Sequence, residues 1–497
     1  MRSPGYSWGW RRRGAESAGA SRAARAAAAD VARPGGDGQR AFATGVRPVM
    51  RWIKADGLDD DVTRAALGAA TRAFGSEVDY CVCTAGLDAG RVRGVMAWAE
   101  QPVEWWPVGP EDNQALADRL WAAGCSTADF GYWWKWFPER VRPRAPEWIL
   151  DGDMVVVGRP DWFADWASGQ DPCRLSQDDS HRYTEIYGQY GRYVSKRHWF
   201  YSGLASLPPG ARYMPGIEAV MDRRPLVRPH NGRTDMSEQG AIAAAFQRLK
   251  ARPIPLAEFA FARAFDAHLD FGATGDRGSA WGYHFGNAFV RANPHFDAMV
   301  ADGTIYSRDE PSVVERFAWL GNTGQWGVPG WSLNDACVEF VLEVAAHDAG
   351  SDVLEIGTSR GRIAAMLATI GCHVTTVDHV DRGAGRNLAG LDVVVVIEDA
   401  LAFLESADRR FSLVFVDLHG NSRAMWEGMF PALARVLCAG GRLVLNNWRL
   451  AEIPEWREEG GVGWLVDNLP DGFAVESSLD VAPGVVVLRH DGRRDLA

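Results

Sequence analysis

The stretch from Ser351 to Asn447 limits the possible folds of this chain more than any other. Ser351–Ala368 reads as a strand, a turn carrying Gly357 and Gly361, and a helix. Glycines at such a turn let the backbone approach a ligand closely, and a helix start offers unpaired N–H groups. Cys372–Val377 reads as the next strand and ends in Asp378, placed about as far beyond the turn as a carboxylate that accepts from both hydroxyls of a ribose. Strands at Val393–Ile397 and Leu413–Val416, a helix around Met425–Leu437 and the run Gly440–Asn447 continue the alternation. That order implies an α/β, doubly wound parallel sheet with ligands at the carboxyl ends of its strands. Ser359 stands where a nicotinamide dehydrogenase would usually keep a middle glycine.

With 497 residues the chain exceeds what one core usually serves, so two or three domains are expected. A net charge of -11 argues against a general nucleic-acid or anionic-membrane binder. No apolar run approaches the roughly 20 residues that span a bilayer, so stable membrane insertion is not expected. Seven scattered cysteines without paired zinc spacing fit a reducing cytoplasm, and Cys81 and Cys83 would share one buried strand face. The 22 tryptophans, most of them before residue 350, read either as bulky core or as platforms for sugar rings.

Residues 1–47 are rich in Ala, Arg and Gly and read as a disordered tail. Residues 48–322 show a mixed α/β pattern, with strands expected at Val78–Cys83, Val103–Trp106, Trp148–Val157 and Trp199–Leu207. Helices are expected at Asp60–Phe74, Asn113–Ala123 (Leu116, Leu120 and Trp121 on one side) and Ser237–Lys250. A Gly- and Pro-bearing linker at 323–331 precedes the second domain, 332–497, whose first helix is expected to be capped by Ser332 with Asp335 at its third position.

In the first half the informative piece is Pro146–Val157, where Asp151 and Asp153 sit between apolar strand segments. Two carboxylates at a strand's exit can hold Mn²⁺ or Mg²⁺, whose charge neutralises a diphosphate leaving group; the plain alternative is a turn with solvated acids. Lys135, within Gly131–Pro138, can reach a phosphate or simply make cation–π contacts with its tryptophan neighbours. Asp235 and Glu238 have the spacing of a helix capping box, and His284 reads equally as a ligand or as an aromatic-cluster histidine.

The run VLEIGTSRGR, TTVD, EDALAFL, FSLVFVD and LARVLCAGGRLVLNN resembles the class I S-adenosylmethionine-dependent methyltransferases, in particular catechol and sugar O-methyltransferases. The resemblance covers about the last third of the chain. It implies that Glu355 and Gly357 flank the methionine end of the cofactor, that Thr358 and Gly361 also belong to the cofactor site, that Asp378 holds the ribose and that Asp399 meets the adenine amino group. It also implies a final antiparallel strand at Gly484–Arg489. In metal-dependent members an acidic pair and an asparagine hold magnesium; Asp417 and Asn447 match, while Asn446 replaces an acid, so Mg²⁺ dependence stays open. His419 is then a candidate general base beside Asp417 at the methyl-transfer centre.

The first half, from Asp79 to Asn287, is similar in its order of pieces to nucleotide-sugar glycosyltransferases of the GT-A fold. That likeness implies metal ligation by Asp151, Asp153 and His284, and places Glu238 and Gln239 beside the transferred sugar, with Lys135 toward the nucleotide-sugar. The expectation is thus two Rossmann-like domains: a GT-A-like mixed sheet and a doubly wound methyltransferase sheet. The implied partners are a nucleotide-diphosphate sugar and a glycan or small-molecule acceptor. Two alternatives are a methyltransferase whose first half only binds substrate, and a non-catalytic cofactor-binding scaffold.

Overall fold

In the computed structural model, the described residues are 42–55, 60–177, 187–195, 199–227, 237–261, 280–285, 294–305, 307, 310–321, 333–418, 422–449, 461–481 and 483–491. The tail up to residue 41, nearly all of the expected linker, Ser332, Asp235 and His419 lie outside them.

The chain forms two seven-stranded sheets and one small sheet. The strands of the first half are β1 (Val49–Ala55), β2 (Asp79–Ala85), β3 (Val103–Pro107), β4 (Glu147–Asp151), β5 (Met154–Val156), β6 (Arg174–Gln177), β7 (Phe200–Leu207), β8 (Arg252–Ile254), β9 (Phe259–Phe261) and β10 (Gly282–His284). Seven of them order as β3-β2-β1-β4-β7-β6-β8, and β5-β10-β9 make the small sheet. β1 to β4 are mutually parallel, and β7 runs antiparallel to both neighbours.

β1 is buried on both faces. Met50 and Trp52 enter one apolar cluster, Val49 and Ile53 another. The burial takes in even its charged residues, Arg51 and Lys54, which are held by Glu147 and Asp60. Cys81 and Cys83 do share a buried face, beside Ile53. Most of the tryptophan reading resolves as core: Trp148 packs against Trp162, Trp166 and Trp281 with ring centroids 5.4, 4.6 and 5.5 Å away.

The second sheet contains β11 (Asp352–Ile356), β12 (His373–Asp378), β13 (Val393–Ile397), β14 (Phe411–Val416), β15 (Leu437–Asn446), β16 (Phe473–Leu479) and β17 (Val485–His490), ordered β13-β12-β11-β14-β15-β17-β16. Five strands are parallel, and β17 runs antiparallel to β15, as the Gly484–Arg489 expectation required. Val353 packs toward the helices Asp335–Ala345 and Arg362–Thr369, while Leu354 and Ile356 pack toward Arg423–Val436, so both faces are covered.

Four local expectations need correction. Trp148–Val157 is not one strand. Asp151 ends β4 and a turn at Gly152–Asp153 passes the chain to β5 of the small sheet. Trp121 does not share the buried side of its helix; it is 41% exposed while Leu116 and Leu120 are fully buried. The helix of the second half begins at Asp335, and Asn334 caps it by accepting from the Cys337 N–H at 2.8 Å. Asparagine is among the strongest caps, so the cap stands at Asn334, two positions beyond the expected one. Residues 42–47, assigned above to the tail, are tied down: Phe42 is fully buried under the Arg142 guanidinium, which donates to the carbonyls of Phe42 and Arg47.

Because Trp148 sits at the centre of an aromatic cluster, Trp148→Ala should cost about 3–5 kcal/mol in urea unfolding of the full chain, as large-to-small core changes do. Trp121→Ala should change the same curve by less than about 1 kcal/mol.

Candidate functional site

Two clusters of polar side chains form at the carboxyl ends of the parallel strands. In each large sheet the order reverses next to the first strand, between β1 and β4 and between β11 and β14. Open α/β sheets leave a crevice at that point.

In the first half, Asp151 is the last residue of β4. The turn then places Asp153 just ahead of β5, and antiparallel pairing sets His284 of β10 opposite Met154. The Phe285 N–H closes this arrangement on the Asp153 carbonyl at 3.0 Å. One ligand atom from each of Asp151, Asp153 and His284 lies within 4.8 Å of the other two, so the three sequence candidates are brought together. His284 Nε2 lies 3.3 Å from Asp153 Oδ1 and 3.4 Å from the Tyr201 hydroxyl, while the buried Nδ1 finds no partner among the described residues. A nitrogen and two hard oxygens suit Mn²⁺, or Mg²⁺ less well, so the donor set fits a divalent ion. His284 is also stacked among aromatics, 4.4 Å from Phe261 and 4.9 Å from Tyr201 between ring centroids, so the ligand and packing readings coincide.

Lys135, 4% exposed, is turned inward. Its Nζ lies 2.7 Å from Asp151 Oδ1, donates to the Ser202 carbonyl at 2.5 Å and sits 5.2 Å from the Trp136 ring centroid. Burial raises the Asp151 carboxyl, against the pull of Lys135 and with the push of Asp153. Burial acts on Asp153 as well, but the attraction and hydrogen bond of His284 leave it below the ordinary range.

The capping partner Asp235 lies outside the described residues, so the place of Glu238 is read from its other contacts. Its side chain is buried, accepting from Trp136 Nε1 at 2.5 Å and from the Ser202 hydroxyl at 3.3 Å. Burial and the nearby Asp151 charge push it up to about 7 despite Lys135 and these two donors. A carboxyl in that range can exchange protons near neutral pH. Gln239 is buried too, with Nε2 unpartnered among the described residues. Trp136, Ser202 and Tyr201 were not singled out from the sequence. The placement of β7 beside β4 brings Tyr201 and Ser202 here, and Trp136 comes from the short helix Gly131–Trp136.

In the second half, Gly357 has φ +102 and a Cβ there would overlap the Asp417 carbonyl, so β11 and β14 approach as closely as backbone allows. Gly361, at φ +92, precedes the helix Arg362–Thr369. Between them Ser359 adopts φ +50, and its N–H donates to Asp378 Oδ2 at 2.8 Å. Asp378 therefore ties the glycine turn to the end of β12, and its Oδ1 accepts from the Val380 N–H at 3.1 Å. Thr358 Oγ1 lies 2.5 Å from Thr376 Oγ1, and Thr376 donates to Glu355. Asp399 caps the helix Ala400–Ser406 through Oδ1, at 3.0 and 3.1 Å from two N–H groups. Asn446 Nδ2 donates to Asp417 Oδ1 at 2.9 Å, and its own buried Oδ1 has no partner among the described residues. Asn447, 7% exposed, has φ +68.

Burial, with repulsion from Asp417 and Asp378, pushes Glu355 up to about 8 although Thr376 donates to it. The folded state therefore holds this proton more tightly than the unfolded chain. Its contribution to stability is complete below about pH 4.5 and is lost as pH rises through about 8. Glu355→Gln removes that titration. Between pH 5 and pH 8 its melting temperature should fall less than that of the wild-type chain, by a few degrees on calorimetry.

No protein-family model matches the chain, and no curated protein does. Several solved structures resemble part of it. The O-methyltransferase TomG from Streptomyces achromogenes, solved with SAM, is 18% identical over 39% of this chain and 96% of its own, with a TM-score of 0.31. An O-methyltransferase from Bacillus cereus is 18% identical over 39% and 97%, TM-score 0.30. The N-methyltransferase NodS from Bradyrhizobium japonicum WM9 is 21% identical over 32% and 99%, TM-score 0.28. Likenesses of this size carry no argument about activity, which has to come from the side chains.

Proposed function

We propose that the second half is an S-adenosylmethionine-dependent methyltransferase. The observation that supports this best is the joint placement of the Gly357–Gly361 turn and Asp378 at the switch point of a sheet ordered β13-β12-β11-β14-β15-β17-β16 with β17 reversed. The residues present fit the cofactor. The turn is free of side-chain bulk where Gly357 meets Asp417, the start of the helix at Arg362 faces it, and Asn446 keeps an unpaired buried oxygen nearby. The bound cofactor would supply a methyl group on a positively charged sulfur.

The chain's own residues then bind and orient. Asp378 is set by Ser359 and Val380 at the end of β12, where a ribose is expected, and Asp399 holds the rim near the adenine. Glu355 lies at the base of the methionine end, and Asp417 and Asn446 stand where an acceptor hydroxyl would come. His419 remains a candidate base from its sequence position alone, and a magnesium ion held by Asp417 and Asn447 is a further candidate.

A second reading, sugar transfer from a nucleotide-diphosphate donor in the first half, is favoured by one specific observation: the Asp151–Asp153–His284 cluster at the end of β4. There the carboxylates and the imidazole would hold a divalent ion against a diphosphate, with Glu238 and Gln239 beside the sugar and Lys135 neutralising Asp151. The joint proposal is a glycan-modifying enzyme that adds and methylates a sugar. The competing reading keeps the first half as a substrate-binding module. None of the seven cysteines is in a disulfide, which fits a reducing compartment, and no helix among the described residues is long and apolar enough to cross a membrane.

Thermal melting separates these readings. S-adenosylhomocysteine should raise the melting temperature by several degrees at saturation, and Gly357→Ala should abolish the rise. UDP, GDP or TDP should raise it only with Mn²⁺, and Asp151→Ala should remove that effect while leaving the homocysteine response. A homocysteine response with no manganese-dependent nucleotide response would select the binding-module reading.

A further inference from the structure

One arginine of the cofactor turn reaches into the other half of the molecule. Arg360 lies between Ser359 and Gly361, is 1% exposed, and donates to the carbonyls of Val103 at 2.6 Å and Gly321 at 3.0 Å. Its guanidinium is 3.5 Å from Glu104 Oε2. Val103 and Glu104 belong to β3, the edge strand of the first sheet. Arg386 approaches the other oxygen, Glu104 Oε1, at 3.6 Å and lies 5.0 Å from the Trp105 ring centroid. Arg93 completes the contact from the first half by donating to the carbonyls of Asn387 and Ala389 at 3.0 and 2.9 Å. Asn387 in turn donates to the Arg360 carbonyl at 3.0 Å.

Glu104 is itself only 3% exposed, so one buried carboxylate faces the buried Arg360 guanidinium and the mostly covered one of Arg386, whose side chain is 11% exposed. Removing one partner from such a cluster leaves charge without compensation in a dry site. The neighbouring backbone must then move, and here that backbone is the turn 357–361. Its conformation is already demanding: Gly357, Ser359 and Gly361 all have positive φ. The same turn carries the Ser359 N–H that fixes Asp378.

We propose that Glu104, a residue of the first half, is a positioning residue for the S-adenosylmethionine site of the second half. The edge strand of one sheet thereby sets the cofactor turn of the other, and the second half does not hold its cofactor turn in shape unaided. This rests on the methyltransferase reading above.

The test uses the full chain and S-adenosylhomocysteine, with Kd from titration calorimetry well below the melting temperature and Tm measured separately. Glu104→Gln, which keeps the shape and loses the charge, should weaken binding by roughly tenfold or more, while Glu104→Asp, which keeps the charge, should recover most of that loss. Arg360→Lys keeps a cation opposite Glu104 but loses the two-carbonyl fork. It should weaken binding in the same sense, and it serves if Glu104→Gln does not fold. A merely structural role would lower Tm and leave Kd within about twofold of wild type, and that result overturns the proposal. Wild-type protein that binds no S-adenosylhomocysteine overturns this proposal and the methyltransferase reading together. Wild-type binding with unaffected variants overturns this one alone.

Discussion

Burial of parallel strands on both faces is the constraint on which the rest of this molecule depends. A strand such as β1 or β11, covered by apolar clusters above and below, has no room for a polar ligand along its length. Chemistry is therefore pushed to the strand ends, and among the ends only those beside a reversal of strand order open a crevice. Asp151 and the Gly357 turn occupy these positions in their respective sheets. The two candidate centres are thus two products of one packing rule, with their chemistry set by which side chains the following turn supplies.

Those turns work in opposite ways. After β11 the chain stays in the same sheet layer, and glycine lets it pass against Asp417 with no side chain between. The close approach brings the ends of two strands together with backbone alone between them. After β4 the chain leaves the sheet altogether. Two residues later it pairs with β10, and that antiparallel register brings His284, distant in sequence, beside Asp153. There space is filled, and the result is a cluster dense enough that Lys135 and Glu238 are also drawn inside. A dense buried set of ionisable groups keeps its charges only by mutual compensation, which is why Asp151 and Glu238 are raised while Asp153 is lowered.

The extent to which the sequence showed these features follows from the range of the interactions. In the second half the glycine turn, Asp378 and the first five strands come from local pattern, Gly484–Arg489 came from the resemblance, and β16 (Phe473–Leu479) was not anticipated; the expected strands appear within a residue or two or, for Gly440–Asn447, a few. The break at Gly152 was less legible, because apolar residues on both sides of Asp151 and Asp153 make a continuous strand look plausible until pairing partners are known. Glu238 had a capping spacing, and only the tertiary neighbours Trp136 and Ser202 reveal that it points inward. Arg360 was not singled out from the sequence. Nothing local marks its partners, which lie 257 positions away at Val103 and in the same strand at Glu104.

The burial of Arg360 bears on how the halves relate. One apolar cluster runs from Trp52 and Trp148 through Phe317, Trp319 and Leu320 to Val338, Val353 and Leu367, so the two large sheets share a core. Domains joined only by a linker meet through surfaces that stay mostly polar and wet, and they move. A shared apolar core with a buried carboxylate between two arginines is the opposite case: separating the halves would expose apolar surface and strand charges at once. The contact also falls at the back of the cofactor turn, where a small displacement acts directly on backbone N–H direction. An ionic contact at that place therefore does more than join the halves. It fixes the orientation of the groups that a ligand would meet.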